Sequence, residues 1–132
     1  MSPAIAVDTS AVAAILLGEP DADALEDAIF TASEACISAA SVIELVVVAG
    51  HLAGEAGALE AERLVAELGL EVAPVSAEHI REARRAFVQF GKGRHPAGLN
   101  FGDCFSYALA KSLGRPLLFK GNDFGRTDVI AA

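Results

Sequence analysis

The chain holds 132 residues, 53% of them hydrophobic, which is enough for one domain with a real core and too apolar for a disordered segment. Its net charge of −8 argues at first against a nucleic-acid partner. The longest unbroken apolar run, residues 11–17, is far short of the roughly 20 residues that cross a bilayer. The opening MSPAIAVD lacks the basic region of a secretory signal, so a cytoplasmic protein with no membrane partner is expected.

In chain order, residues 4–8 (AIAVD) read as a short buried strand. TSAVAAILLG follows as a helix, with Thr9 or Ser10 as cap and Gly18 as stop. Pro20 opens an acidic helix, DADALEDAIF, with Leu25, Ala28 and Ile29 inward. Residues 35–38 form a second strand, and helices follow at 40–53 and 55–69. Residues 70–75 (LEVAPV) are the third strand. Ser76 then caps a helix with Ile80, Ala83, Arg84 and Phe87 at helical spacing. GKGRHPAG, residues 91–98, is a loop. A helix over 101–113 ends at Gly114, residues 116–120 (PLLFK) are the fourth strand, and 128–131 make a short fifth. Cys36 and Cys104 lie far apart, without metal-ligand spacing, and read as buried free thiols. No repeat or linker divides the chain, so residues 1–132 are taken as a single domain. Strands alternating with helices imply an α/β fold with a mostly parallel sheet covered on both faces.

The charge is unevenly distributed. Residues 1–80 carry 14 of the 18 acids and one base, Arg63, for a net −13; residues 81–132 carry 9 bases and 4 acids, for +5. The asymmetry points to a polyanion or acidic partner for the second half, with differently charged solvated helix faces as the plain alternative.

Open parallel sheets place their sites beyond the carboxyl ends of the strands. Asp8 ends the first strand, Asp123 in KGNDF follows the fourth, and Asp103 stands at the mouth of the 101–113 helix. Each has an ordinary reading alone: Asp8 as a helix cap, Asp123 as a turn residue, Asp103 in a capping box with Asn100. Glu44 differs. In SVIELVVVA it has scarcely any polar face, and no Lys or Arg lies within 12 residues of it. Burying an unpaired carboxylate costs on the order of several kcal/mol, so its compensation comes from elsewhere in the fold or from a metal. Four such acids together repel unless a cation joins them. An all-oxygen site suits Mg²⁺ or Mn²⁺ and leaves room for water and phosphate, where the ion activates water and offsets phosphoryl charge. The basic half then holds the polyanion. Lys92, Arg94 and Lys120 flank the stretches carrying Asp103 and Asp123 and are the candidate phosphate contacts, with Arg126 similar. His95 reads as a surface-loop histidine and not a general base.

VDTSA at 7–11, SVIEL at 41–45, NFGDCFSYALAK at 100–111 and LLFKGNDFGRTDV at 117–129 together resemble the PIN-domain ribonuclease toxins of bacterial VapBC toxin–antitoxin pairs. The resemblance spans essentially the whole chain. It implies a three-layer α/β/α sandwich, Mg²⁺- or Mn²⁺-dependent RNA cleavage, inhibition by a cognate VapB antitoxin, and a homodimer. Carried over by position, the acidic quartet falls on Asp8, Glu44, Asp103 and Asp123. Asp8 and Asp103 are then the principal metal ligands. Glu44 and Asp123 complete the site or orient the attacking water, and Thr9 or Ser10 donates hydrogen bonds to the ligands. Asp128 resembles a further acid of this branch. Gly121 is a departure, because many PIN domains carry serine or threonine two places before the last aspartate. The apolar stretches 11–17 and 42–48 would offer a partner helix or second copy a groove, although most of these side chains read as core.

Two rival readings use the same acids. A haloacid-dehalogenase-type phosphatase would want a second aspartate two residues after the first, where Ser10 stands. A receiver-like binding domain would want an acid pair near Asp8, which is missing, and a lysine after the last strand, which Lys120 imitates.

Overall fold

The computed structural model describes residues 2–132. Among them four short strands, β1 (Ile5–Val7), β2 (Ala35–Ser38), β3 (Glu71–Ala73) and β4 (Leu117–Leu118), form one sheet in the order β3-β2-β1-β4. Every pairing is parallel. Five helices connect them: α1 (Thr9–Leu16), α2 (Ala22–Thr31), α3 (Ala39–Glu67), α4 (Ala77–Phe90) and α5 (Phe101–Leu113).

The alternation of strand side chains divides the core in two. Ile5, Val7, Ile37 and Leu118 face one cluster with α1, α2 and α3. Their neighbours Ala6, Cys36 and Leu117 face the other, with α4 and α5. Both faces are thus covered, giving three layers. The chain leaves β1 toward β2 on one side and returns as β4 on the other. β1 and β4 therefore flank the point where strand order reverses, the usual place for a site in such sheets.

Several boundaries depart from the sequence reading. Residues 128–131 do not form a fifth strand: Leu117 and Ala131 make one isolated bridge, because β4 is only two residues long and offers no longer template. β3 stops at Ala73, since Pro74 has no N–H to continue the ladder. The cap of α1 is Asp8, not Thr9 or Ser10. The helices expected at 40–53 and 55–69 are one run interrupted at Ala53 and Gly54, where Gly54 takes φ +66°. As a whole, α3 is long and apolar enough to cross a bilayer, but each half is shorter than the roughly 17 residues needed, and Leu45, Ala49, Ala61 and Val65 are turned into the core. The 42–48 stretch is less buried than expected. Only the stripe through Leu45 meets the sheet, and Ile43, Val47 and Val48 face solvent.

Candidate active site

Asp8 sits at the carboxyl end of β1 and is 4% exposed. Its Oδ2 accepts the Ser10 N–H at 3.0 Å, capping α1, and its Oδ1 accepts the Ser106 hydroxyl at 2.5 Å. The Ser106 proton is committed to Asp8, so the Ser41 hydroxyl, 3.3 Å from Ser106 Oγ, is the donor in that contact. Thr9 donates in turn to the Ser41 carbonyl at 3.3 Å. Hydroxyls from α3 and α5 thereby fix the carboxylate from below. Ser10 uses its hydroxyl elsewhere, accepting the Lys120 backbone N–H at 3.0 Å and tying α1 to the segment after β4.

Asp103 occupies the first turn of α5 and is 8% exposed. Asn100 Oδ1 accepts the Asp103 N–H at 2.9 Å while Asp103 Oδ2 accepts the Asn100 N–H at 3.1 Å, so the expected capping box is present. Burial pushes the Asp103 carboxyl up to about 7; the Asn100 N–H opposes the rise, and the carboxylates of Asp123 and Asp8 add to it. Asp103 therefore lies within electrostatic reach of both Asp123 and Asp8. Glu44, on the second turn of α3, is half-buried and not fully buried as its apolar surroundings suggested. Its carboxylate lies against the Cα of Gly102, in the space a β-carbon there would fill. It is thereby held beside the turn that carries Asp103. None of the four acids forms an ion pair among the described residues.

The ordinary and the functional readings of Asp8 and Asp103 thus hold together, since each caps a helix while facing other acids. The donor set is all oxygen and lacks a compensating base, which fits a hard divalent cation. Among the described residues no three ligating side chains close round one point as they stand. Mg²⁺ does not require that, because it commonly takes one or two carboxylates and keeps water or phosphate in its other positions. Two hollows adjoin the acids. One of about 650 Å³ is lined by Pro96, Ala97, Asn122, Asp123, Gly125 and Arg126. Another of about 330 Å³ holds Glu44 with Gly102, Phe101 and Phe105.

Other residues singled out in the sequence lie apart from this cluster. Asp128 accepts hydrogen bonds from the Tyr107 hydroxyl at 2.6 Å and from Lys111 at 3.1 Å, and bonds none of the four acids. Although partial burial pushes its carboxyl up, these two donors hold it below the usual carboxylate range. Lys120 pairs with Glu19 and Asp21, so its charge is neutralised within the chain and not offered to a phosphate. Lys92 and Arg94 are exposed on the 91–98 loop, Arg94 lying over the Phe87 ring at 5.3 Å. His95 is half-buried, its Nδ1 accepting the Ala97 N–H at 3.0 Å. Cys36 and Cys104 are free and buried, as expected.

The sequence reading missed Ser106, Ser41 and Gly102. A signal existed for the two serines: Ser106 follows Asp103 by three residues and Ser41 precedes Glu44 by three, a spacing that puts each pair on one helix face.

The PIN-domain family model matches residues 5–130. A ribonuclease VapC of Mycolicibacterium smegmatis is 47% identical over 125 residues, covering 95% of this chain and 97% of that protein. Ribonuclease VapC30 of Mycobacterium tuberculosis is 45% identical, covering 93% and 94%. Among solved structures, M. tuberculosis VapC20, described as a sarcin-ricin loop cleaving toxin, superposes with a TM-score of 0.76 at 18% identity over 97% of this chain and 98% of that one. A toxin–antitoxin complex from Klebsiella pneumoniae gives 0.72 at 16% identity over 97% and 96%. At those identities the superpositions speak for the fold alone.

Proposed function

The chain belongs to the VapC branch of the PIN-domain family, and from that premise we propose that it is a toxin endoribonuclease of a type II toxin–antitoxin pair. In this reading residues 1–132 are one PIN domain, acting in the cytoplasm with Mg²⁺ or Mn²⁺ and silenced by a VapB-type antitoxin. What supports the site is that Asp103 lies within electrostatic reach of Asp8 and Asp123, with Glu44 seated on Gly102 and none of the four acids ion-paired among the described residues.

Asp8 and Asp103 are assigned as the ion's direct ligands. When bound, a divalent ion supplies an acidified water and neutralises charge on the phosphoryl group. The chain's own residues do the rest. Ser106 and Ser10 hold Asp8 in one rotamer, and Asn100 does the same for Asp103. Asp123 lines the open hollow with Arg126, where it orients the attacking water and takes its proton while Arg126 faces the phosphate. Glu44 stands at the turn of Gly102, the residue before Asp103 in the chain. The exposed Ile43, Val47, Val48 and Leu52 of α3 give a second copy or an antitoxin helix an apolar contact.

Neither rival reading gains support. Ser10, where the phosphatase needs an acid, is occupied with the Lys120 N–H, and the lysine that imitates a receiver's is bound to Glu19 and Asp21. The decisive experiment incubates purified protein with total cellular RNA in Mg²⁺, with and without chelator, alongside Asp8→Asn. Cleavage by the wild type that is lost in both controls is expected. Equal cleavage by Asp8→Asn, or none by the wild type, overturns the reading.

A further inference from the structure

The 91–98 loop is closed at its neck. Lys92 donates its N–H to the Leu99 carbonyl at 2.8 Å, and Leu99 donates its own to the Phe90 carbonyl at 2.8 Å. Within the loop, the N–H groups of Arg94 and His95 reach the Gly91 carbonyl, and that of Gly98 reaches the His95 carbonyl at 3.0 Å. Residues 95–98 thus make a β-turn, with Pro96 at its second position and Gly98, at φ +65°, at its fourth. Ala97 is 7% exposed, and a buried amide needs an acceptor. Among the described residues no carbonyl takes its N–H. His95 Nδ1 does, at 3.0 Å.

That bond decides what the imidazole can do. With Nδ1 accepting, Nε2 carries the hydrogen, so the neutral ring has no free lone pair with which to act as a general base. An Asn or Asp at the first position of such a turn accepts the same N–H; the histidine adds an anchor. Its ring meets Phe90 edge-on with centroids 5.2 Å apart, and Phe90 packs against Tyr107 at 6.0 Å. Tyr107 stands one turn after Asp103 on α5. The 95–98 turn is therefore fixed relative to the helix that carries an acid of the site. Pro96 and Ala97 form one wall of the hollow of about 650 Å³, and Asn122, Asp123, Gly125 and Arg126 form the other. Where the turn stands sets how wide that hollow is.

We propose that His95 is a positioning residue of the nuclease: through Nδ1 it holds Pro96 and Ala97 at the distance from Asp123 and Arg126 that admits the RNA strand. The proposal rests on the ribonuclease reading above and adds to it a residue that bonds none of the four acids. Without the acceptor, the Ala97 N–H turns to water and the wall takes several positions, of which one admits the strand. Apparent KM then rises by the inverse of that state's population, while kcat, reached once substrate has selected it, holds.

Three variants separate the acceptor from the ring. His95→Phe keeps a ring against Phe90 and removes the acceptor. His95→Gln carries its oxygen at the reach of Nε2 and not of Nδ1. His95→Asn loses the ring but keeps an acceptor in the place of Nδ1. The readouts are amide hydrogen exchange of Ala97 in the free protein and cleavage of total cellular RNA in Mg²⁺ across a range of RNA concentrations. His95→Phe and His95→Gln should speed the Ala97 exchange about tenfold and raise apparent KM about 5- to 20-fold, as loss of one hydrogen bond to a buried amide does, with kcat within about twofold. His95→Asn should bring both values back to within about threefold of the wild type. Equal KM increases in all three variants overturn the proposal, since the acceptor would then not matter. Loss of kcat in all three overturns it too, because His95 would then act in the chemistry. Wild-type cleavage alongside a neutral His95→Phe sinks the positioning role alone, whereas a wild type that cleaves no RNA sinks the nuclease and this role with it.

Discussion

The turn after α1 and the mouth of α5 both gather acidic side chains, with opposite outcomes. In the turn, Glu19 and Asp21 close on the Lys120 ammonium, whose pKa is raised by the hydrogen bonds it donates to those two carboxylates. Along α5, Asp128 is likewise satisfied by Tyr107 and Lys111. At the mouth, burial lifts the Asp103 carboxyl to about 7 and the carboxylates of Asp123 and Asp8 add to the rise. Acids that find bases serve the structure. Acids brought against other acids, on helix starts that hold them there, raise the free energy of the ionised site unless a cation joins them. The comparison separates carboxylates by their partners, not by their count.

The largest effect should come from breaking the mouth. Asp103→Asn keeps the capping geometry but removes a proposed metal ligand, and RNA cleavage in Mg²⁺ should fall about 10²- to 10³-fold. Lys120→Met, which disturbs only the turn, should cleave within about twofold of the wild type in the same gel assay. Comparable losses in the two variants would erase the distinction. A second measurement sharpens it through pH. A carboxyl whose folded pKa lies above its unfolded value stabilises the fold below about pH 4 and loses that contribution as pH rises through about 7. In chelator, wild-type stability relative to Asp103→Asn should therefore drop by on the order of 2 kcal/mol between pH 4 and 8. Mg²⁺ should reverse the trend, since it binds the ionised form, and thermal unfolding across that range reads both. A flat difference between the two proteins would mean that the Asp103 carboxyl is neither desolvated nor crowded in the fold.

How far this arrangement could be read beforehand depends on the range of each signal. β1 and β2 were legible because strands buried on both faces are short apolar runs. Asp8 and Asp103 were legible because each bears two local marks, a strand end or helix start together with a capping pattern. The pairing of Lys120 with Glu19 and Asp21 was not, because it is created by β1 and β4 lying side by side, a contact across roughly a hundred residues. Ser106 lies 98 residues from the Asp8 it supports, and a small polar residue on a helix face carries no sign of a distant acceptor. Residues 128–131 have the composition of a strand, but a two-residue β4 gives them only one partner position. Glu44 was noticed for its burial. The structure shows that its position is decided by what is missing opposite it, at Gly102.

That vacancy allows a milder perturbation than removing an acid. Gly102 stands in the first turn of α5 without a positive φ, so its backbone accepts alanine at no cost, but the added β-carbon would meet the Glu44 carboxylate. The carboxylate is the far end of a flexible side chain, so it should swing away without unfolding the helix. Cleavage should decline about tenfold while the melting temperature holds or rises, a split that a simple packing defect does not produce. If activity survives, Glu44 does not need its seat beside Asp103.

The smallest effect is expected at the satisfied acid. Tyr107 is fully buried, burial and its bond to Asp128 push its phenol above the ordinary range, and its hydroxyl reaches Asp128 at 2.6 Å. Tyr107→Phe keeps the ring in the α4–α5 core and deletes only that donor. The carboxylate left behind still has Lys111 at 3.1 Å and solvent around it, so the cost should be about 1 kcal/mol, that of one hydrogen bond to a partly exposed acceptor. Cleavage should be unchanged, because Asp128 bonds none of the four acids. Denaturant unfolding measures the first number and the RNA gel the second. A Tyr107→Phe enzyme that unfolds normally but cleaves poorly would move Asp128 from the structural group of acids to the functional one.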